Sequence, residues 1–322
     1  MNTIFLTPKY YVFSFHFKIK LFYIRKIRSL TIRNIKTYIL RQGDCIELMK
    51  NLPDKSIDMI LCDLPYGTTA CKWDTIILFD KLWEQYNRII KDNGAIVLFG
   101  SQPFTSLLIN SNIKHFKHEW IWEKQKAANF MSAKYAPLKY HEEIIVFSGN
   151  SNKVSYNPIK YKVLEFKDIE NLDKNELKKI FDTRDYDRYG KVDKRKTVND
   201  VVNPKDSHYG SMKVKVRNKD DGYRYPKSVL KINKSINKNV HPTQKPVALL
   251  EYLIKTYTNE DMLVLDNCMG SGSTGIACLN TNRKFIGFEL DKEYFEIAKK
   301  RIEDRSKELE EDKEKIRNEK IL

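Results

Sequence analysis

Met262–Gly275 reads MLVLDNCMGSGSTG. The apolar run at its start has the length and composition of a buried strand, and Asp266 closes it. Gly270 and Gly272 follow at the turn, where a backbone without Cβ can pass close beneath a ligand. Ser273 then opens a helix of small residues, Ser273–Leu279. Lys284–Glu289 (KFIGFE) is the next strand, and Glu289 ends it 17 residues after Gly272, close to where a strand-end acid receives ribose hydroxyls. Such a unit expects its ligand in the crevice outside the C-terminal ends of the strands.

The same texture recurs on both sides. Ile57–Cys62 (IDMILC), Ala95–Gly100 (AIVLFG) and Glu143–Phe147 (EIIVF) read as buried strands. Phe79–Ile90 has helical spacing, stopped at Asn93-Gly94. Pro246–Tyr257 reads as a helix started by proline, and Asp291 caps another that runs past Lys300. Trp120 and Trp122 alternate on a strand and suit a core. Strands alternating with helices predict an α/β protein with a mostly parallel sheet and helices on both faces.

Gly270–Gly275 also matches G-x-G-x-x-G, so a dinucleotide is one candidate ligand. Charge separates the candidates. A pyrophosphate at the turn is disfavoured by Asp266 just before it, whereas S-adenosylmethionine carries a sulfonium and an ammonium and no phosphate. A tight turn without ligand is the third reading.

Asp63-Leu64-Pro65-Tyr66 follows the strand Ile57–Cys62 directly and falls at the same sheet edge. An exocyclic amine on a base is a weak nucleophile because its lone pair is delocalised into the ring. Two acceptors on its protons localise that pair. The Asp63 carboxylate supplies one, and the Leu64 carbonyl, restrained by Pro65, supplies the other. Tyr66 offers a ring for an extruded base. Methyl transfer is then an in-line displacement governed by positioning and electrostatics, with no metal required.

The formal net charge is +16. Residues 1–41 hold nine basic residues and no acid, and residues 151–240 hold 23 basic and 13 acidic residues, so the strand-bearing parts are near neutral. Basic blocks with interleaved aromatics suit a polyphosphate partner; Tyr223, Arg224 and Tyr225 are candidate contacts. An A/T-rich coding bias would produce the same lysines. Residues 1–40 lack the pattern of a secretory signal and read as an extension outside the fold. The five scattered cysteines (Cys45, Cys62, Cys71, Cys268, Cys278) form no C-x-x-C pair, which argues against a disulfide framework or structural zinc and fits a reducing cytoplasm. Cys62 and Cys268 read as small buried packers. No run of apolar residues is long enough for a membrane span.

Taken in order, Asp63–Tyr66, the basic stretch 149–240, His241-Pro242-Thr243-Gln244-Lys245-Pro246 and Asp266–Gly275 resemble the β group of amino-methylating DNA methyltransferases, the adenine-N6 and cytosine-N4 family of restriction–modification and phage-type enzymes. Gly43-Asp44-Cys45, Ala95–Phe104, Glu119–Lys124 and Pro137–Phe147 add to the likeness, which covers about residues 40–150 and 241–302. The resemblance implies a Rossmann-like S-adenosylmethionine-dependent methyltransferase fold plus a smaller basic target-recognition region. It divides the chain into an extension (1–40), a catalytic half (41–148), a recognition region (149–240), a donor-binding half (241–302) and a charged helical tail (303–322). It also implies that Asp63, Leu64, Pro65 and Tyr66 hold the target amine, and that Asp266, Gly270 and Gly272 cradle the methionine end of the donor. Thr243 would then lie near the donor carboxylate, Glu289 at the ribose, Asp44 at the adenine edge, and Phe130 beside the flipped base. His241 reads as a turn residue rather than a base.

Double-stranded DNA is the expected partner, with a homodimer and a cognate restriction endonuclease left open. One position departs from the family. The first of two usual prolines in the loop is Leu64 here, which removes some stiffness. Asp63 at the head of the loop favours adenine N6. Cytosine N4, a catalytically impaired DNA-binding relative, and a methyltransferase acting on protein or RNA stand as alternatives.

Overall fold

Eight strands assemble into one sheet in the computed structural model, which describes residues 37–67, 75–127, 129–149, 151, 153–162, 223–233 and 244–319. Among these residues the strands are β1 (Tyr38–Gln42), β2 (Ile57–Cys62), β3 (Ile90–Gly100), β4 (Phe116–Glu123), β5 (His141–Ser148), β6 (Tyr161–Lys162), β7 (Tyr223–Arg224), β8 (Val229–Lys231), β9 (Leu263–Asp266) and β10 (Lys284–Glu289). The α-helices are α1 (Cys45–Lys50), α2 (Phe79–Ile89), α3 (Phe104–Ser111), α4 (Val247–Tyr257), α5 (Ser273–Asn280) and α6 (Lys292–Glu319). The sheet order is β1-β10-β9-β2-β3-β5-β4-β8. Strands β10, β9, β2 and β3 are parallel neighbours, β5 is antiparallel to both β3 and β4, and β8 is parallel to β4. The predicted mostly parallel α/β sheet is the observed one.

Period-two alternation on buried strands supplies two apolar faces. Ile60, Cys62, Ile96, Leu98, Ile145, Phe147, Leu265, Ile286 and Phe288 share a cluster with Met49, Leu82, Tyr86, Ile89 and Phe104 of α1–α3. Their alternates Met59, Leu61, Val97, Phe99, Ile144, Val146 and Val264 are fully or almost fully buried outside that cluster. Helix α4 belongs to this second layer: the Tyr257 hydroxyl accepts the Trp120 indole N–H at 2.6 Å. Trp120 and Trp122 are core residues, as their alternation predicts.

Two elements differ from the sequence reading. Strand β3 begins at Ile90 rather than Ala95, because Ile90 already pairs with Ile57 while Ala95 pairs with Met59. Asn93-Gly94 therefore sits in a bulge, where its carbonyls accept the backbone N–H of Ser155 and Gly149. The polar stretch after Gly149 is also partly tied to the sheet. Asn157 N–H bonds Thr256 O at the end of α4, the Trp122 indole donates to Ile232 O, and β8 extends the sheet edge. Asp291 caps α6 as expected, accepting from the N–H groups of Glu293 and Tyr294, and α6 continues without a break through most of the charged tail. No helix among the described residues is long and apolar enough to cross a membrane.

The glycine turn between β9 and α5 has two different jobs. Gly270 (φ +49°) and Gly272 (φ +79°) both adopt the left-handed conformation. A Cβ on Gly272 would lie 3.0 Å from Ala298 Cβ and from Ile302 Cδ1 of α6, whereas one on Gly270 would meet nothing within 4 Å. Gly272 thus lets α6 pack closely. Gly272→Ala should destabilise the protein by about 2–3 kcal/mol, through backbone strain plus overpacking, and Gly270→Ala by about 1 kcal/mol through strain alone. Urea unfolding of both variants checks this; equal losses would contradict the division.

Candidate active site

The β2–β9 pairing, with Ile60 opposite Leu265, brings two sequence-distant loops to one sheet edge. A single cavity of about 540 Å³ is lined there by Asp44, by Asp63–Tyr66, by Thr75–Leu78, and by Glu142, Gln244, Lys245, Asp266, Gly270, Ser273 and Glu289. That size lies within the range of small-molecule sites.

The Asp63 carboxylate is held at both oxygens. Oδ1 accepts the Tyr66 hydroxyl at 2.6 Å, and Oδ2 accepts Lys245 Nζ at 2.5 Å. Lys245 is 8% exposed. Its ammonium also lies 3.2 Å from Glu142 Oε2, and Glu142 Oε1 pairs with Lys124 at 2.8 Å. Burial alone would discharge Lys245, but the carboxylates of Asp63 and Glu142 outweigh it and hold the amine above its usual pKa. Burial, and then the Asp63 charge, push the Tyr66 hydroxyl well up, so it remains a donor. Burial likewise works against the Glu142 carboxylate, yet Lys245 and Lys124 draw it below the ordinary range. In the sequence Lys245 is one residue of the His241–Pro246 string and Glu142 the neighbour of a buried strand, and neither carries a local sign of its role. A buried acid at a strand end requires a cation, and Lys245 is the one fixed cation of that string, immediately before α4.

Leu64 does not leave the loop slack. Its side chain is 4% exposed and belongs to the core cluster, with Tyr66 packed alongside. The Tyr66 ring lies 4.9 Å from that of Phe104. Packing supplies here the restraint that a proline would give.

On the donor side Asp266 is almost wholly buried. Its Oδ2 accepts the Thr274 hydroxyl at 2.6 Å and its Oδ1 the Cys268 N–H at 3.1 Å. Burial raises its pKa to about 7, against the opposing pull of those two bonds. Glu289 accepts the N–H groups of Gly270 and Asp291 at 2.8 and 2.9 Å, and burial raises it too. Asp44 caps α1 by accepting the Glu47 N–H. Among the described residues the cavity therefore presents the acids Asp44, Asp63, Glu142, Asp266 and Glu289 against Lys81 and Lys245. That balance fits a cationic ligand and opposes a pyrophosphate. Ser273 Oγ and Gln244 Oε1 are buried in its wall with no hydrogen-bond partner among the described residues, two polar atoms left for a ligand.

Other sequence candidates fall elsewhere. Gly272 is absent from the cavity wall. Phe130 is 71% exposed on a short turn, Phe130–Ser132, and is not among the residues lining the cavity. Tyr223, Arg224 and Tyr225 are exposed as well, with Lys160 Nζ 4.6 Å from the Tyr225 ring. Thr243 and His241 lie outside the described residues. Cys62 is buried as expected, and burial takes its thiol up to about 12; Cys268 is instead only partly buried and lines the cavity. Among the described residues no group of His, Cys, Asp and Glu is arranged to hold a metal ion.

The type II methyltransferase M.HpaI of Haemophilus parainfluenzae is 27% identical over 275 residues, covering 81% of this chain and 73% of that protein. The DNA adenine methyltransferase YhdJ of Escherichia coli K12 is 26% identical over 273 residues, covering 81% of each. The solved PvuII DNA methyltransferase, cytosine-N4-specific, superposes with a TM-score of 0.54 at 16% identity, covering 84% of this chain and 91% of that one, and shares the fold. The DNA methylase family, N6/N4 type, matches residues 57–300. The chain belongs to that family, the amino-methylating DNA methyltransferases that draw their methyl group from S-adenosylmethionine.

Proposed function

We propose that the protein methylates the N6 amino group of adenine at a specific site in double-stranded DNA, after the base has been flipped out of the duplex. The observation that carries this reading is the single acid-rich cavity shared by Asp63–Tyr66 and Asp266–Glu289. S-adenosylmethionine supplies a methyl group on a sulfonium centre, transferable by in-line displacement. Asp266, Gly270 and Ser273 suit the methionine end of the donor, Glu289 the ribose and Asp44 the adenine edge, with Thr243 as a further candidate.

The chain does the rest by positioning. Asp63 and the Leu64 carbonyl accept the two protons of the target amine and direct its lone pair out of the ring. Tyr66 and Lys245 already orient Asp63, so an incoming amine replaces one of these two donors rather than reorganising a free carboxylate. Asp63 at the head of the loop and the name of YhdJ favour adenine. The PvuII enzyme acts on cytosine N4, and its likeness is one of fold. The basic stretch 149–240 is the proposed reader of the duplex, its lysines taking phosphates.

Incubation with tritiated S-adenosylmethionine and unmethylated genomic DNA, followed by digestion to nucleosides, should place the label in N6-methyl-2′-deoxyadenosine. Label in N4-methylcytosine would overturn the choice of base, and no label would overturn the reading. Asp63→Ala should abolish transfer while donor affinity is kept, as read by calorimetry. The pH dependence follows from Asp266. Its folded pKa of about 7 leaves it mostly protonated below neutrality, and only the carboxylate attracts a cationic donor. Affinity for S-adenosylmethionine should therefore rise about tenfold between about pH 6 and pH 8. Asp266→Asn should flatten that profile; a wild-type affinity that falls with pH would refute the assignment.

A further inference from the structure

We propose that the connection between β4 and β5, residues 124–140, is a wedge that enters the DNA duplex beside the target base. This rests on the DNA-methylation reading and adds a duplex-opening surface to it. The segment carries Lys124, Lys126, Lys134 and Lys139 and no acidic residue. Among them Phe130, Met131 and Tyr135 are 71%, 81% and 90% exposed. Large apolar side chains left in water call for a partner surface. A loop with only positive charges selects a polyanion, and apolar side chains between lysines suit insertion into a base stack.

The loop has a preformed shape. Its neck is closed where Lys124 N–H donates to Tyr140 O at 2.6 Å. Asn129 ties the two limbs, donating to Pro137 O at 3.0 Å and accepting the Lys139 N–H at 2.6 Å. Within the tip, Ser132 O accepts the N–H groups of Tyr135 and Ala136.

The loop is also fixed to the active site. Strand β4 is antiparallel to β5, which is antiparallel to β3, so the connection leaves the sheet at the edge that carries Asp63. Lys139 Nζ donates to Ser101 Oγ at 2.6 Å, just past β3. Lys124 pairs with Glu142, Glu142 with Lys245, and Lys245 with Asp63. A base can enter the cavity only after leaving its stack, and these apolar side chains stand ready to fill the gap it leaves.

The test uses an oligonucleotide bearing the target site mapped from genomic DNA that the protein has methylated. One duplex is fully paired; in the other the target base faces an abasic position and needs little help to leave. The triple variant Phe130→Ala, Met131→Ala, Tyr135→Ala should lower the paired-to-abasic ratio of kcat/KM at least about tenfold relative to wild type. The pair Lys126→Ala, Lys134→Ala should weaken both duplexes alike and reduce the salt dependence of binding. An unchanged ratio in the triple variant overturns the wedge, including the case where its losses are equal or where only self-association changes. Genomic DNA left unmethylated by the wild-type protein at the mapping step overturns the DNA-methylation reading and the wedge with it.

Discussion

A buried lysine governs the arrangement of this site. Lys245 can stay charged at 8% exposure because Asp63 and Glu142 close around it, and it is the one cation that those two carboxylates share, Glu142 pairing with Lys124 as well. The three groups come from different parts of the chain: the loop after β2, strand β5 and the residues entering α4. Their mutual neutralisation therefore fixes how the two halves of the catalytic unit meet. It also decides the state in which Asp63 waits, with both oxygens occupied and its direction set before a substrate amine arrives.

The sheet makes that meeting possible. Because β9 inserts between β10 and β2, Asp266 emerges beside Asp63 although some two hundred residues separate them in sequence. Asp58 reinforces the seam, accepting the Leu263 N–H with one oxygen and Lys91 with the other. The donor-side acids serve first as structural groups: Asp266 holds Thr274, Glu289 holds the glycine turn and Asp44 caps α1. Their charges are thereby fixed around the cavity at little further cost on binding, the arrangement that favours a cationic ligand through preorganisation rather than through flexible contacts.

Much of this was legible in the sequence. Ile57–Cys62 and Lys284–Glu289 are strands with the bounds their apolar runs predict, because buried parallel strands advertise themselves by continuous hydrophobicity. The loops at their ends were equally visible through glycine, proline and acid. What was hidden depends on side chains meeting across the fold. The partnership of Lys245 with Asp63 has no local signature, nor does the use of Gly272 by α6. Leu64 looked like a weakness in the loop, yet its burial restores the restraint. Asn93-Gly94 reads as a turn that would shorten β3, and only pairing with β2 and the bonds to Gly149 and Ser155 make it a bulge.

The claim that Lys245 sets up Asp63 for transfer is tested most directly by Lys245→Met, whose apolar chain can fill the same space. Donor affinity, read by calorimetry, and kcat on genomic DNA should be measured on one preparation. The account predicts kcat lowered at least about tenfold with donor affinity kept within a few-fold. Wild-type kcat in the variant would contradict it, since Asp63 would then need no fixed cation to hold the target amine.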